Sequence, residues 1–283
     1  MRIFILGSDG MLGHVVRAYF SDNNHQVFGT TRNLENEFYF DVTKNLSDLS
    51  RYIESIKPDA VINCIGLLNQ VAEENKSLAV LVNGYLPHYA DEICRRVNSK
   101  FIHISTDCVF DGKKGEYTEV SPKDATSFYG QSKAIGEVEN GRSLTLRTSI
   151  VGPDPNEKGV GLFQWFMNQT GEVSGFDKVI WTGVTTIELA KCIEKAIESN
   201  LSGLRHVVNN QKIDKFSLLQ LFKTTFGKSI EIKRKSEYVS DKSLIRKTDF
   251  DFGVPSYEQM VQDMRKWVSD HKEIYPKSQG GSL

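Results

Sequence analysis

The sequence predicts an α/β fold, a doubly wound parallel sheet with a smaller C-terminal lobe. Short apolar runs alternate with amphipathic segments through the first half of the chain. Several runs are apolar without a break, as strands buried on both faces should be. A glycine-rich turn, Gly7-Ser8-Asp9-Gly10-Met11-Leu12-Gly13, follows the first run and opens the first helix. Strands alternating with helices place helices on both faces of a parallel sheet, and right-handed crossovers then make it doubly wound.

Taken in order, a strand at 3–6 leads into a helix over 12–22. Strands follow at 26–29 and 38–40, then a helix over 46–56 and a strand at 60–64. A long amphipathic helix is predicted over 77–98, a strand at 101–105, a helix over 127–139 and a strand at 144–147. After Arg147 the rhythm breaks at Gly152, Pro153, Pro155, Gly159 and Gly161. A helical stretch follows over 162–169, and an amphipathic helix over 187–199 returns to the sheet. The expected division is a dinucleotide-binding domain over 1–150, joined again by 186–200. A smaller substrate-binding lobe takes 151–185 and 201–276, and 277–283 forms a disordered tail.

The whole-chain balance excludes several classes. Thirty-five basic and 36 acidic residues leave a net charge of −1, with no basic stripe for nucleic acid. The four cysteines (Cys64, Cys94, Cys108 and Cys192) form no C-x-x-C, and they read as free thiols of a reducing compartment. The first apolar run is too short for a signal peptide, and no stretch approaches the ~20 apolar residues of a membrane span. The six histidines show no ligand spacing, so no metal site is predicted. A cytoplasmic protein is expected.

The glycine turn has the spacing G-x-x-G-x-x-G. Glycines there permit a tight turn and let backbone N–H groups of Gly7 through Gly13 approach a pyrophosphate, while the helix N-terminus adds its dipole. A carboxylate at the end of the second strand, about twenty positions on, would select NAD. This chain instead has Thr30-Thr31-Arg32-Asn33. Arg32 pairs with a 2′-phosphate and Thr31 adds a hydrogen bond, which favours NADPH with NADH as the alternative. Asp41 and Val42 are candidates for the adenine edge. Cys64, Ile65 and Gly66 are candidates to pack beneath the cofactor.

The reacting centre is read from Thr106, Tyr129 and Lys133. Thr106 ends the fifth predicted strand, and in an open parallel sheet ligands bind beyond the carboxyl ends of the strands. Tyr129 and Lys133 are four residues apart, on one face of a helix that begins at the same edge. An ammonium beside the phenol is expected to lower its pKa. The set suits a carbonyl: Thr106 donates to its oxygen, Tyr129 supplies the proton, and Lys133 tunes Tyr129 and holds the nicotinamide ribose.

These motifs resemble those of the extended short-chain dehydrogenase/reductases. Within them the chain is most similar to dTDP-4-dehydrorhamnose reductase and related nucleotide-sugar reductases. The likeness rests on the glycine loop, on Ser105-Thr106-Asp107-Cys108-Val109-Phe110-Asp111-Gly112, on Tyr129-Gly130-Gln131-Ser132-Lys133-Ala134-Ile135-Gly136-Glu137, and on Leu146-Arg147-Thr148-Ser149. It covers roughly 1–200. The resemblance implies a Rossmann fold and NADPH-dependent reduction of the 4-keto group of a nucleotide-activated 6-deoxy sugar. It also places Asn83 in a structural or proton-relay role near the cofactor. Asp107, Cys108, Val109, Ser149 and Trp181 fall where such a protein lines its sugar pocket. A homodimer through the helices near 77–98 and 127–139 is implied by analogy.

Two departures keep the substrate open. Cys108 stands where rhamnose reductases usually have tyrosine, and the segment 69–75 departs from their pattern, so a UDP-linked N-acetyl sugar is equally admissible. Cys108 also occupies the place of the glutamate that a 4,6-dehydratase needs, which disfavours dehydration. Two further alternatives stand beside the reductase: a nucleotide-sugar epimerase, and a non-catalytic NADP-binding subunit like the regulatory subunit of methionine adenosyltransferase.

Overall fold

The computed structural model describes residues 1–209 and 211–275; the tail expected at 277–283 lies outside the described residues. Arg2–Leu6 (β1) enters the main sheet at once. Ile3 and Ile5 face one apolar core, Phe4 and Leu6 the other, because side chains alternate across a strand. Gly13–Asp22 (α1) packs Val15, Val16 and Phe20 into the first core. Gln26–Gly29 (β2) follows. Asp48–Ile56 (α2) turns Leu49 and Ile53 to the second core and ends at Lys57 in the left-handed conformation. Ala60–Asn63 (β3) is buried throughout.

Two expectations fail here for local reasons. The segment 38–40 is no strand; it makes one isolated bridge, Thr31 to Tyr39. Phe38 instead meets Phe4, Phe28 and Tyr52 edge-on, which covers its ring without a strand ladder. The long helix over 77–98 is also interrupted. Asn69–Glu74 (α3) and Lys76–Ala79 (α4) lead into a π-helical turn, Val80–Tyr85, and Leu86–Arg96 (α5) continues from it. Pro87 has no N–H to donate to the Asn83 carbonyl four residues back, so the α-helical ladder breaks there in any case.

Lys100–Thr106 (β4) runs into a 3₁₀ turn, Asp107–Val109, at the carboxyl edge. Phe128–Ile135 (α6) starts beside it and leads to Leu144–Thr148 (β5). The smaller lobe is built from Ile150–Val151 (β6), Leu162–Asn168 (α7), Glu172–Phe176 (β7), Val179–Trp181 (β8) and Val184–Thr185 (β9). Thr186–Glu198 (α8) packs on α1, and Gly203–His206 (β10) follows it. Ile213–Asp214 (β11), Lys215–Thr225 (α9), Glu231–Lys235 (β12), Ser240–Asp241 (β13) and Tyr257–Asp270 (α10) complete the described chain.

The main sheet has six strands in the order β10-β5-β4-β3-β1-β2, every pair parallel. Chain order reverses between β1 and β3, and that reversal opens a crevice at their carboxyl ends. The sixth strand, β10, lies at 203–206, a range that the sequence reading assigned to the smaller lobe. In that lobe β8 is flanked by β11 and β13, while β7 pairs with β12.

Candidate functional site

The glycine loop is stitched to the end of β2. Thr30 accepts the Ser8 N–H on its carbonyl at 2.9 Å and the Gly7 N–H on its hydroxyl at 2.9 Å. Gly7 has φ +78°, a conformation open to glycine. A Cβ at Gly13 would stand 2.0 Å from the Gly7 carbonyl oxygen, so the start of α1 can close on the loop only without a side chain. This is a cradle of backbone at a helix N-terminus, and it fits a dinucleotide pyrophosphate. Leu12 turns its own side chain into the core, so it contributes backbone alone.

The cofactor-selecting residues are arranged differently from the expectation. The Thr31 hydroxyl donates to the Asp9 carboxylate, so it is already committed within the protein. Asp9 also pairs with Arg17 at 3.2 Å. Arg32 is exposed and holds no ion pair among the described residues. Asp41 caps its own turn, accepting from the Thr43 N–H at 2.9 Å and hydroxyl at 2.6 Å; the Thr43 hydroxyl is the main influence holding its carboxyl below the usual range. Val42 packs in the second core. Cys64, Ile65 and Gly66 leave β3 at the crevice, where burial pushes the Cys64 thiol up to about 12.

The candidate reacting residues Thr106 and Tyr129 lie at the carboxyl edge. The Thr106 hydroxyl accepts the Cys108 N–H at 3.1 Å and donates to Asp107 Oδ1 at 3.1 Å, and it is near enough to the Tyr129 hydroxyl to bear on its acidity. Any Cβ at Gly130 would stand 2.1 Å from the Cys108 carbonyl oxygen, so glycine after Tyr129 lets α6 close on the 3₁₀ turn. Ser127 caps α6, accepting from Gly130 N–H at 3.1 Å. Glu73 reaches over from α3. It accepts the Phe128 N–H at 2.7 Å and the Tyr129 N–H at 3.3 Å.

One electrostatic expectation is overturned. Tyr129 is pushed above the ordinary phenol value, first by burial and then by Cys108 and Asp107, with Thr106 opposing. Lys133 does not act against this. Its Nζ sits 2.8 Å from the Ile104 carbonyl oxygen and 3.3 Å from His103 Nε2. Burial lowers Lys133 itself to about 8. Asn83 is buried and fully engaged, with Leu67 N–H donating to its Oδ1 at 2.8 Å and its Nδ2 donating to Leu67 O and Ser132 Oγ at 3.1 Å each.

At the substrate edge the residues divide. Asp107 and Cys108 face the centre, and burial raises both, Cys108 to about 11. Val109 does not line the site: it is wholly buried with Phe110, Tyr117, Val208 and Leu244. Ser149 accepts from Val184 N–H on its carbonyl at 2.9 Å. Trp181 is buried, with no partner for its indole N–H among the described residues. Lys215, absent from the sequence reading, stands 5.0 Å over the Trp181 ring and close enough to Asp107 and Cys108 to feel their charge; burial lowers it to about 8. A lone lysine at a helix start carries no signal of its own, and only the pairing of β11 with β8 brings it here.

With this geometry in view, the comparisons agree with it. Residues 1–240 match the family described as RmlD substrate binding domain. The chain is 30% identical over 238 residues to the probable low-salt glycan biosynthesis reductase Agl14 of Haloferax volcanii, covering 75% of this chain and 76% of that protein. It is 38% identical over 109 residues to a dTDP-4-dehydrorhamnose reductase of Burkholderia thailandensis, covering 36% and 37% of the two chains. The fold superposes on the crystal structure of dTDP-4-dehydrorhamnose reductase from Bacillus anthracis in complex with NADP with a TM-score of 0.81, at 22% identity, covering 94% of this chain and 99% of that one. The match over 1–240 spans the glycine loop, the Thr106–Tyr129–Lys133 centre and most of the smaller lobe, and on it the chain belongs to the RmlD substrate binding domain family.

Proposed function

We propose that the protein is an NADPH-dependent reductase of the 4-keto group of a nucleotide-activated 6-deoxy sugar, with NADH as the weaker cofactor. The observation that carries this reading is a glycine cradle shaped for a dinucleotide, at the same sheet edge where Thr106 ends β4 and Tyr129 opens the helix that closes on it. The names of the reductase relatives support the substrate class.

The chemistry a bound dihydronicotinamide supplies is a hydride for the carbonyl carbon. The protein's part is the other half of the reduction, a proton for the carbonyl oxygen. Tyr129 is protonated through the neutral range and has that proton to give; burial, which raises its pKa, makes it a weaker acid, so it is the charge developing on the oxygen that must draw the proton off. Thr106 would contribute a second hydrogen bond to the same oxygen by turning its one hydroxyl hydrogen away from Asp107. The phenolate left behind regains its proton from solvent. Gly7 through Gly13 would hold the pyrophosphate, Arg32 the 2′-phosphate and Lys133 the nicotinamide ribose. Asp107, Cys108, Trp181 and Lys215 would meet the sugar nucleotide.

A homodimer through α4, the π turn, α5 and α6 belongs to the same proposal, since Val80, Tyr85 and Ile135 are exposed there. So does a place in the reducing cytoplasm, on which the four free cysteines bear. Among the described residues no helix is long and apolar enough to cross a membrane. The test is a screen of 4-keto-6-deoxy sugars linked to dTDP, UDP and GDP, following NADPH consumption. Oxidation with at least one of them is expected; NADPH binding without oxidation of any would sink the reductase and favour a regulatory NADP-binding role.

A further inference from the structure

Beneath Tyr129 lies a buried row of three side chains: Asn63 ending β3, His103 in β4 and Lys133 in α6. Asn63 and His103 are wholly buried and face each other across the β3–β4 pair, and Lys133 is 4% exposed. The direction of each hydrogen bond in this row follows from its neighbour. Asn63 Oδ1 accepts the Ile65 N–H at 3.0 Å. The atom Asn63 turns to His103 Nδ1, 3.1 Å away, is therefore its amide nitrogen. An amide nitrogen only donates, so His103 Nδ1 accepts and carries no hydrogen. Burial holds this imidazole neutral. Its single ring hydrogen must then sit on Nε2.

Nε2 points at Lys133 Nζ, 3.3 Å away. An ammonium has donors only and would set N–H against N–H, whereas a neutral amine has one lone pair to receive it. Donation from Nζ to the Ile104 carbonyl at 2.8 Å is open to either form. We infer that, in the cofactor-free protein at mildly alkaline pH, His103 donates its Nε2 hydrogen to a neutral Lys133 amine, and that this lysine takes up a proton from solvent when the dinucleotide binds. His103 and Asn63 are thus positioning residues that set the charge state of Lys133. The second half rests on the cofactor role of Lys133 proposed above; the first half does not.

The surroundings allow it. Glu137, just past the end of α6, favours the ammonium, but its carboxylate is already held by Arg147, Ser105 and Lys123. From β3, Cys64 is a neutral thiol, raised to about 12 by burial. From α5, His88 adds only to the lowering of His103. Burial is the leading cause that brings Lys133 to about 8. An anionic dinucleotide in the crevice shifts the balance towards the ammonium.

Two measurements test this. Nitrogen-15 correlation spectra of the histidines, on cofactor-free protein above pH 8, should show His103 as the Nε2–H tautomer. The Nδ1–H tautomer or an imidazolium would overturn the inference. Calorimetry of NADPH binding in buffers of different ionisation enthalpy should show proton uptake that rises with pH, reaching about half a proton at pH 8. Asn63→Asp reverses the logic, because a carboxylate accepts from Nδ1–H and turns the Nε2 lone pair to an ammonium. In that variant the tautomer should switch and the uptake at pH 8 should vanish. Binding without proton uptake in the wild type would overturn the second half, even in an enzyme that reduces keto-sugars. Neither measurement uses a sugar substrate, so a failed substrate screen leaves both decisive.

Discussion

The Arg147 guanidinium holds the Glu137 carboxylate through two nitrogens, at 2.8 Å and 2.7 Å, where neither side chain is more than 1% exposed. Ser105 donates to the same carboxylate at 2.6 Å. This ties β5, β4 and the residues after α6 together directly behind Thr106. Burial pushes the Glu137 carboxyl up, but Arg147, Ser105 and Lys123 outweigh it and leave it below the usual range. A depressed carboxyl contributes stability that is complete above the unfolded value of about 4.3 and is lost as pH falls through the folded one.

Glu137→Gln should therefore lose about 3–5 kcal/mol in denaturant unfolding at pH 7, because it strands a buried guanidinium. Its stability should also fall less steeply than the wild type's below pH 4. Parallel acid limbs in the two proteins would show that the carboxylate is not the titrating group.

Tyr129→Phe should slow keto-sugar reduction by about 10²- to 10⁴-fold, the usual worth of a general acid. Cofactor affinity, measured by fluorescence titration, should stay nearly unchanged, since Tyr129 sits on α6 and not on the glycine loop. Retained turnover would remove Tyr129 from the mechanism.

Arg32→Ala should weaken NADPH about 10-fold or more, the scale of one charge-assisted hydrogen bond, and should leave NADH nearly untouched. Arg32 has no ion pair among the described residues to lose, so any selective effect reports on the 2′-phosphate. Equal losses for both cofactors would mean that Arg32 does not read it.

Gly13→Ala places a carbon 2.0 Å from the Gly7 carbonyl oxygen, against backbone that cannot yield without opening the loop. We expect about 1–3 kcal/mol of destabilisation. Dinucleotide binding should fall with it in calorimetry. Wild-type affinity in this variant would show that the cradle tolerates expansion.

What could be read from the chain alone was what local chemistry decides. An unbroken run such as Ile3-Phe4-Ile5-Leu6 admits little besides a doubly buried strand, and the glycine spacing marks a loop that side chains would block. The Thr106, Tyr129 and Lys133 positions were legible because strand ends and helix starts share one edge in this topology. Phe38 misled because an apolar run says that rings are buried, not whether a ladder buries them. The effect of Lys133 on Tyr129 was misjudged because spacing places two residues on one face without saying where an ammonium turns. Glu73 and Lys215 were not legible at all: each reaches the site across a tertiary contact, and an isolated charge looks like surface in a sequence.

The late return of β10 to the main sheet has a consequence for how this protein is made. Everything from β6 to α8 must leave the ribosome before β5 gains its outer neighbour. Until then β5 is an open edge with unpaired N–H and carbonyl groups, ready to pair with another nascent chain. A fragment ending after Thr148 would keep that edge for good. It should aggregate rather than survive as a free nucleotide-binding unit, although it contains the glycine loop, Thr106, Tyr129 and Lys133.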